Sequence, residues 1–315
     1  MSASADKTIS LLIKEKVFET GFDLCGIAEI KELKTHEPVL RNWCSSGMNG
    51  EMNYLGRDIK KRINPVLLFP GAKAIIVTGL NYYTPITQGG NGIPVISRYA
   101  YGINYHDVIT EKLNLILDYV KSIRPDSEGR SFVDSAPILE KAWAKEAGLG
   151  WPGRHSIVIN NKIGSFFFLG VIVLNIDLVY DEPFEEDLCG KCRLCLESCP
   201  TGAINENRTI DVRRCLAYLT IESKNPVPEE FIPKSGGRVF GCDKCQEVCP
   251  WNKKAKTNKN PEFEISDEVK NLTAEEWSNL TPGQFEKLFK RSAIGRRGYE
   301  RFMRNVLVVA KPEQL

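Results

Sequence analysis

The sequence predicts three parts: an α+β or α/β half with a mixed sheet over residues 1–180, a short unit folded around inorganic ligands over 181–255, and a linker with a helical tail over 256–315. Three observations predict this. Helical and strand periodicities alternate through the first 180 residues, eight of the ten cysteines crowd between Cys189 and Cys249, and a sustained helical pattern returns only after Thr281. With 315 residues, 42% hydrophobic and 26% charged, the chain is long enough to bury a sizeable core, and its composition excludes disorder, collagen and coiled coil.

The elements follow in order. Ile9, Leu12, Ile13, Lys16, Val17 and Thr20 outline a helix with one apolar face, closed by Gly21. Strands are expected at LCGIAEI (24–30) and AKAIIVTGL (72–80). From Asp107 to Ile123, Val108, Leu113, Ile116, Leu117 and Val120 recur at helical spacing. SIVIN (156–160) and SFFFLGVIVLNIDL (165–178) read as successive strands joined by a turn at Asn160 to Gly164. The polar run KKAKTNKNPEFEISDE reads as a linker or extended arm, and Thr281 with Pro282 starts a helical tail that runs to Ala310.

Lys7, Lys14 and Lys16 interrupt the N-terminal apolar positions, so no signal-peptide core is present there. The longest apolar stretch, Phe166 to Leu174, falls far short of the ~20 residues that span a bilayer. A cytoplasmic protein without a membrane partner is expected. In that compartment thiols stay reduced, and clustered cysteines read first as metal ligands. The 42 basic and 40 acidic side chains leave a net charge of +2, so any attraction to nucleic acid has to come from local clustering.

The run CGKCRLCLESCP places Cys189, Cys192, Cys195 and Cys199 at the Cys-x2-Cys-x2-Cys-x3-Cys-Pro spacing of bacterial two-cluster ferredoxins, whose fourth cysteine serves the other cluster. CDKCQEVCP repeats the last three positions as Cys242, Cys245 and Cys249, and Cys215 lies between the runs. Pairing by position gives one [4Fe-4S] cluster on Cys189, Cys192, Cys195 and Cys249 and a second on Cys199, Cys215, Cys242 and Cys245. Zinc knuckles also use Cys-x2-Cys pairs, but they have no need of the Cys-x3-Cys-Pro ending. Cys25 and Cys44 read as small buried hydrophobes. Two adjacent clusters form a wire, and the preceding α/β half is where an electron acceptor would sit.

No Cys-x-x-Cys-His string occurs, and His36, His106 and His155 are too few for a multi-histidine metal centre. Asp134 ends a strand and opens a turn before Pro137, at the kind of strand edge where α/β sheets bind ligands. Two readings stand. Partial burial against a cofactor would favour its protonated form and suit a proton donor, or the side chain caps the next helix.

Together RYAYGINYHDVI, VDSAPILEKAWAKEAGLGWPGRHS, CGKCRLCLESCPTGAI, CLAYLTIE and GCDKCQEVCPWN resemble the epoxyqueuosine reductases, over about residues 8–310. The resemblance implies base-off cob(II)alamin in the first part and two [4Fe-4S] clusters in a ferredoxin-like second part. It implies reduction of epoxyqueuosine at the wobble position of tRNA to queuosine with loss of water, the last step of queuosine synthesis. The clusters would feed electrons singly to cobalt, which would act on the epoxide as Co(I). Asp134 matches the proton donor; Arg57, Ser97, Tyr101, Ser156, Val158 and Asn160, with Asp134, fall in segments that line the corrin, and no histidine ligates cobalt. An external low-potential electron donor and a monomeric state are implied as well. The tail resembles the start of a HEAT-like helical region, here short.

In that tail Lys287, Lys290, Arg291, Arg296, Arg297, Arg301 and Arg304 face a single acid, Glu300. With Lys253, Lys254, Lys256 and Lys259 they read as a phosphate-holding patch or as a solvated helical face. Two other functions share parts of this pattern. A corrinoid reductive dehalogenase would act on a small molecule, typically with a twin-Arg signal and a tyrosine donor. A ferredoxin-type carrier would hold the clusters and no corrin.

Overall fold

A computed structural model describes residues 3–89 and 93–309, so that Ala310, the expected end of the tail, lies outside the described residues. The first part runs α1 (Ala3–Glu19), β1 (Leu24–Glu29), α2 (His36–Ser45), α3 (Ile59–Ile63), β2 (Ala74–Asn81), β3 (Val95–Ile96), α4 (Tyr105–Ile123), β4 (Gly129–Phe132), α5 (Glu140–Glu146), β5 (Trp151–Pro152), β6 (Val158–Ile159) and β7 (Phe167–Leu174). The Cys-rich part holds α6 (Leu194–Glu197), α7 (Leu216–Ile221), β8 (Arg238–Phe240) and α8 (Lys244–Glu247). The tail adds α9 (Asp267–Lys270), α10 (Ala274–Ser278), α11 (Pro282–Phe289) and α12 (Tyr299–Val309).

A four-stranded sheet in the order β1-β2-β7-β4 organises the first part. Period-two alternation divides its side chains between two cores. Ile76, Leu80, Ile172 and Leu174 pack against Ile13 and Val17 of α1 and Ile109, Leu113, Ile116 and Val120 of α4. Ile75, Val77, Val171 and Val173 pack on the other face against Trp143, Ala144 and Ala147. Helices therefore cover both faces, as expected.

The strand directions differ from the mixed sheet of the sequence reading, because all three pairings in this sheet are antiparallel. The central strands β2 and β7 are buried on both sides, which gives them the continuous apolar runs more usual in parallel sheets. A parallel pairing joins β3 to β8 and thereby links the first part to the Cys-rich part. The turn at Asn160 to Gly164 forms, with two backbone hydrogen bonds of 2.8 and 3.0 Å, but β6 pairs with β5 instead of joining the sheet.

The polar segment after Lys254 is an extended strap. Asn258 N–H donates to the Tyr83 carbonyl, Ile103 N–H to the Glu262 carbonyl, and Phe263 inserts into the first core against Phe168. The tail then closes a third core in which Trp277, Phe285, Phe289 and Phe302 surround Ile96, Val239 and Phe240. Thr281 caps α11 with a reciprocal capping box to Gln284, the start that Thr281 and Pro282 predict. Cys25 is half-buried against the first core, which pushes its thiol up to about 12, and Cys44 is likewise half-buried. No helix among the described residues is long and apolar enough to cross a membrane.

Candidate active site

A cavity of about 960 Å³ opens where the first part, the Cys-rich part and the tail meet. Val39, Leu40 and Trp43 of α2 form an apolar wall, and Asp134, Ser156 and Cys215 lie on its lining. The volume is near the top of the roughly 300–1,000 Å³ range of ligand pockets. A large, flat redox group fits this setting, because the apolar wall suits a macrocycle and Cys215 brings a cluster ligand to the same space.

Asp134 follows β4 in the left-handed region, at φ 53°, which aspartate tolerates better than most residues. Its N–H donates to Glu140 Oε1 at 2.7 Å, and its Oδ2 accepts from Tyr105 Oη at 2.8 Å. His106 Nε2 lies 3.5 Å from the same oxygen. Arg296 Nη1 is 2.7 Å from His106 Nδ1; since a guanidinium only donates, the neutral imidazole carries its proton on Nε2, toward Asp134. Both ring nitrogens of His106 are thereby engaged. Burial, and then the Arg296 charge, lower the His106 pKa. Burial, and then the Asp134 charge, push the Glu140 carboxyl up to about 8.

The Asp134 side chain faces the cavity and is 64% exposed. It does not cap α5, whose N-cap is Leu139 with no side-chain cap bond. Backbone strain also gathers at this site: Asp134, Ser156 (φ 61°) and Arg208 (φ 68°) line the cavity and are three of the four non-glycine residues with positive φ among the described residues. The Ser156 hydroxyl donates to the Arg208 carbonyl, fastening the first part to the Cys-rich part beside the cavity.

The eight expected cluster cysteines fall into two neighbourhoods. Burial pushes Cys195 up to about 11, and the thiol charges that add to this come from Cys189, Cys249 and Cys192. Cys245 is raised by burial and then by Cys242 and Cys215, with Cys195 last, and Cys215 is raised by burial and by Cys199. Among the described residues no three His, Cys, Asp or Glu side chains close around one metal ion.

Of the expected corrin contacts, Asp134 and Ser156 line the cavity, while Arg57, Ser97, Tyr101, Val158 and Asn160 do not. Arg57 is exposed. Ser97 and Tyr101 line a separate cavity of about 460 Å³ beside buried Arg98 and Asp243, where Tyr101 packs into the third core. Val158 is 2% exposed in the second core, and Asn160 is tied into its own turn, its Nδ2 donating to the Leu149 carbonyl at 2.6 Å. Tyr105, His106, Lys141 and Arg208 reach the cavity without having been singled out as site residues. Tyr105, His106 and Lys141 stand in the two strings that flank Asp134, which was the available signal.

The basic tail is less free than its composition suggests. Lys287 and Lys290 pair with Glu268 and Glu286, and Arg301 and Arg304 donate to the Ile221 and Lys224 carbonyls. Arg296 and Arg297 line the cavity, with Arg297 paired to Glu222.

Residues 62–135 match the family described as Epoxyqueuosine reductase QueG, and residues 188–252 match the 4Fe-4S double cluster binding domain. The chain is 42% identical to the epoxyqueuosine reductase of Cellulophaga algicola, over 94% of this chain and 96% of that one. It is 40% identical to that of Escherichia coli, over 94% and 79%. An epoxyqueuosine reductase crystallised with an epoxyqueuosine-modified tRNA-Tyr stem loop superposes with a TM-score of 0.88 at 30% identity, over 96% of this chain and 80% of that one. The Bacillus subtilis epoxyqueuosine reductase, solved with its catalytic aspartate loop swung out of the active site, gives 0.87 at 29% identity, over 96% and 81%. The chain belongs to the epoxyqueuosine reductase family.

Proposed function

We propose that this chain reduces the epoxide of epoxyqueuosine in tRNA to the alkene of queuosine, with cobalamin in the 960 Å³ cavity and two [4Fe-4S] clusters on the crossed cysteine sets. The observation that carries the reading is that Asp134 and Cys215 line one cavity, which brings a proton source and a cluster ligand to the same substrate. Cobalamin held in this cavity would supply a strongly reducing metal centre for the epoxide carbon.

The residues of the chain handle charge and protons. As the C–O bond breaks, negative charge builds on the epoxide oxygen, and the Asp134 carboxyl donates to that oxygen. Tyr105 and His106 hold the carboxyl from two directions. Cys215 places the cluster of Cys199, Cys215, Cys242 and Cys245 next to the cavity, and Cys189, Cys192, Cys195 and Cys249 hold the other cluster farther along the wire. Asp134 and Ser156, which line the cavity, are proposed cofactor contacts, and Arg57, Ser97, Tyr101, Val158 and Asn160 remain proposed contacts from the segments around it. Arg296 and Arg297 stand where a tRNA phosphate would approach. The working boundaries are 1–180 for the catalytic part, 181–255 for the cluster part and 256–315 for the strap and tail. A monomer in the cytoplasm, fed by an external low-potential donor, fits a substrate of this kind.

The test is anaerobic reconstitution with iron, sulfide and cobalamin, followed by nucleoside analysis of tRNA that carries epoxyqueuosine. Queuosine is expected with wild-type protein, and Asp134→Asn is expected to lose about 10²–10⁴-fold in rate while it keeps cobalamin and iron. No queuosine under a strong reductant overturns the activity; an unchanged rate for Asp134→Asn overturns the role of Asp134.

A further inference from the structure

Trp151 is 1% exposed, and its indole Nε1 lies 3.4 Å from Cys189 Sγ, within the range of an N–H···S hydrogen bond. Its ring is fixed from three sides. Phe184 stacks at 5.4 Å and 27°, Trp251 meets it edge-on at 5.0 Å and 78°, and β5 pairs Trp151 with Ile159. Gly150 permits that close approach, since a Cβ there would sit 2.0 Å from the Ile159 carbonyl oxygen. Cys249, a second expected ligand of the same cluster, is packed in this aromatic group. Trp251 sends its own N–H elsewhere, to the Leu188 carbonyl at 3.3 Å.

We propose that Trp151 tunes the reduction potential of the cluster held by Cys189, by donating its indole hydrogen bond to that ligand sulfur. The proposal rests on the assignment of Cys189 as a ligand. Reduction adds one negative charge to a cluster and its thiolates, so a donor aimed at a ligand sulfur favours the reduced state and raises the potential. The surrounding aromatic rings keep water from replacing the donor. Trp151 touches neither iron nor substrate and acts as a positioning residue for the electron wire.

The experiment is an EPR-monitored redox titration of the holoprotein against Trp151→Phe, which keeps an aromatic ring and removes the donor. One cluster is expected to become harder to reduce. Its reduced-to-oxidised ratio at the wild-type midpoint falls about tenfold, about 59 mV for a one-electron couple, and the other cluster does not move. Full iron content with both midpoints unchanged overturns the proposal. In case Trp151→Phe does not fold, wild-type protein labelled with ring-¹⁵N tryptophan is examined by pulsed EPR. A ¹⁵N coupling to one reduced cluster that persists in Trp251→Phe is expected, and its absence overturns the proposal. Cys189→Ser separates the two layers: if iron content and both cluster signals survive that change, the ligand assignment has failed, and the hydrogen bond to a cluster fails with it.

Discussion

The Tyr105 hydroxyl donates a 2.8 Å hydrogen bond to Asp134 Oδ2, while the Tyr105 ring lies flat on Phe168 at 4.3 Å and 3°. The phenol is therefore anchored in the core and cannot follow the Asp134 loop if that loop moves. Tyr105→Phe keeps the stack and removes only the donor. The bond orients the Asp134 carboxyl, and a hydrogen bond is worth about 0.5–1.5 kcal/mol net, so queuosine formation should slow by roughly 2- to 10-fold with little change in Tm. Single-turnover assays with excess enzyme check this, and an unchanged rate would show that the loop is held without Tyr105.

Glu140 gives the site a pH dependence whose sign can be worked out. Its carboxyl moves from an ordinary 4.5 to about 8 on folding, because it is buried beside the Asp134 charge. Folding thus takes up a proton between these values. The contribution to stability is complete below about 4.5 and disappears as pH rises through about 8. Glu140→Gln mimics the protonated form at every pH. Its Tm should lie close to wild type only near about pH 4.5 and exceed it by a margin that grows as pH rises toward about 8, measured anaerobically on the holoprotein. A difference that stays flat across that range would place the Glu140 proton elsewhere.

The cluster ligands were legible because their chemistry is written in local spacing: Cys189 to Cys199 form one continuous motif, and crossing the sets needs only their order. Asp134 was legible as a residue at a strand-to-turn transition. The corrin contacts depend on tertiary placement that no local pattern records. Val158 and Ser156 are two residues apart, yet Val158 faces the second core while Ser156, in the left-handed region, lines the cavity. Tyr101 and Tyr105 are four apart, yet one joins the third core and the other reaches Asp134. The strap was read as polar, since its apolar anchors, Phe263 and Ile265, stand among charged and amide residues.

Arg296 joins the tail to the catalytic residues through His106 Nδ1 at 2.7 Å. If it also meets a tRNA phosphate, its removal should alter binding and chemistry together. For Arg296→Ala, the slope of log affinity for an epoxyqueuosine stem loop against log salt should fall by about one. The rate at saturating tRNA should fall as well, because His106 loses the partner that directs its Nε2–H toward Asp134. Fluorescence anisotropy across a salt series and single-turnover rates report the two effects separately. A lower rate with an unchanged salt slope would assign Arg296 to His106 alone.

Asn252 makes the sharpest prediction about how the cluster part is held to the sheet. It is 6% exposed; its Oδ1 accepts from Ser165 N–H at 2.7 Å, and its Nδ2 donates to the Gln246 carbonyl at 2.7 Å and to Ser165 Oγ at 2.9 Å. Gln246 Nε2 returns a bond to the Ser165 carbonyl at 3.0 Å, so one buried network ties the segment leading into β7 to the turn that carries Cys245 and Cys249. Asn252→Ala leaves the buried Ser165 N–H unpaired and strips one bond each from the Gln246 carbonyl and Ser165 Oγ, so a loss of about 1–3 kcal/mol is expected. Asn252→Asp keeps the acceptor and removes both donations, leaving the Gln246 carbonyl with only the Cys249 N–H beside a buried carboxylate. Both variants should lose iron faster than wild type under an anaerobic chelator challenge, with the Cys249 cluster signal declining first in EPR. If iron release and unfolding midpoints match wild type, the two parts are joined by the Arg98–Asp243 ion pair and the β3–β8 ladder without this network.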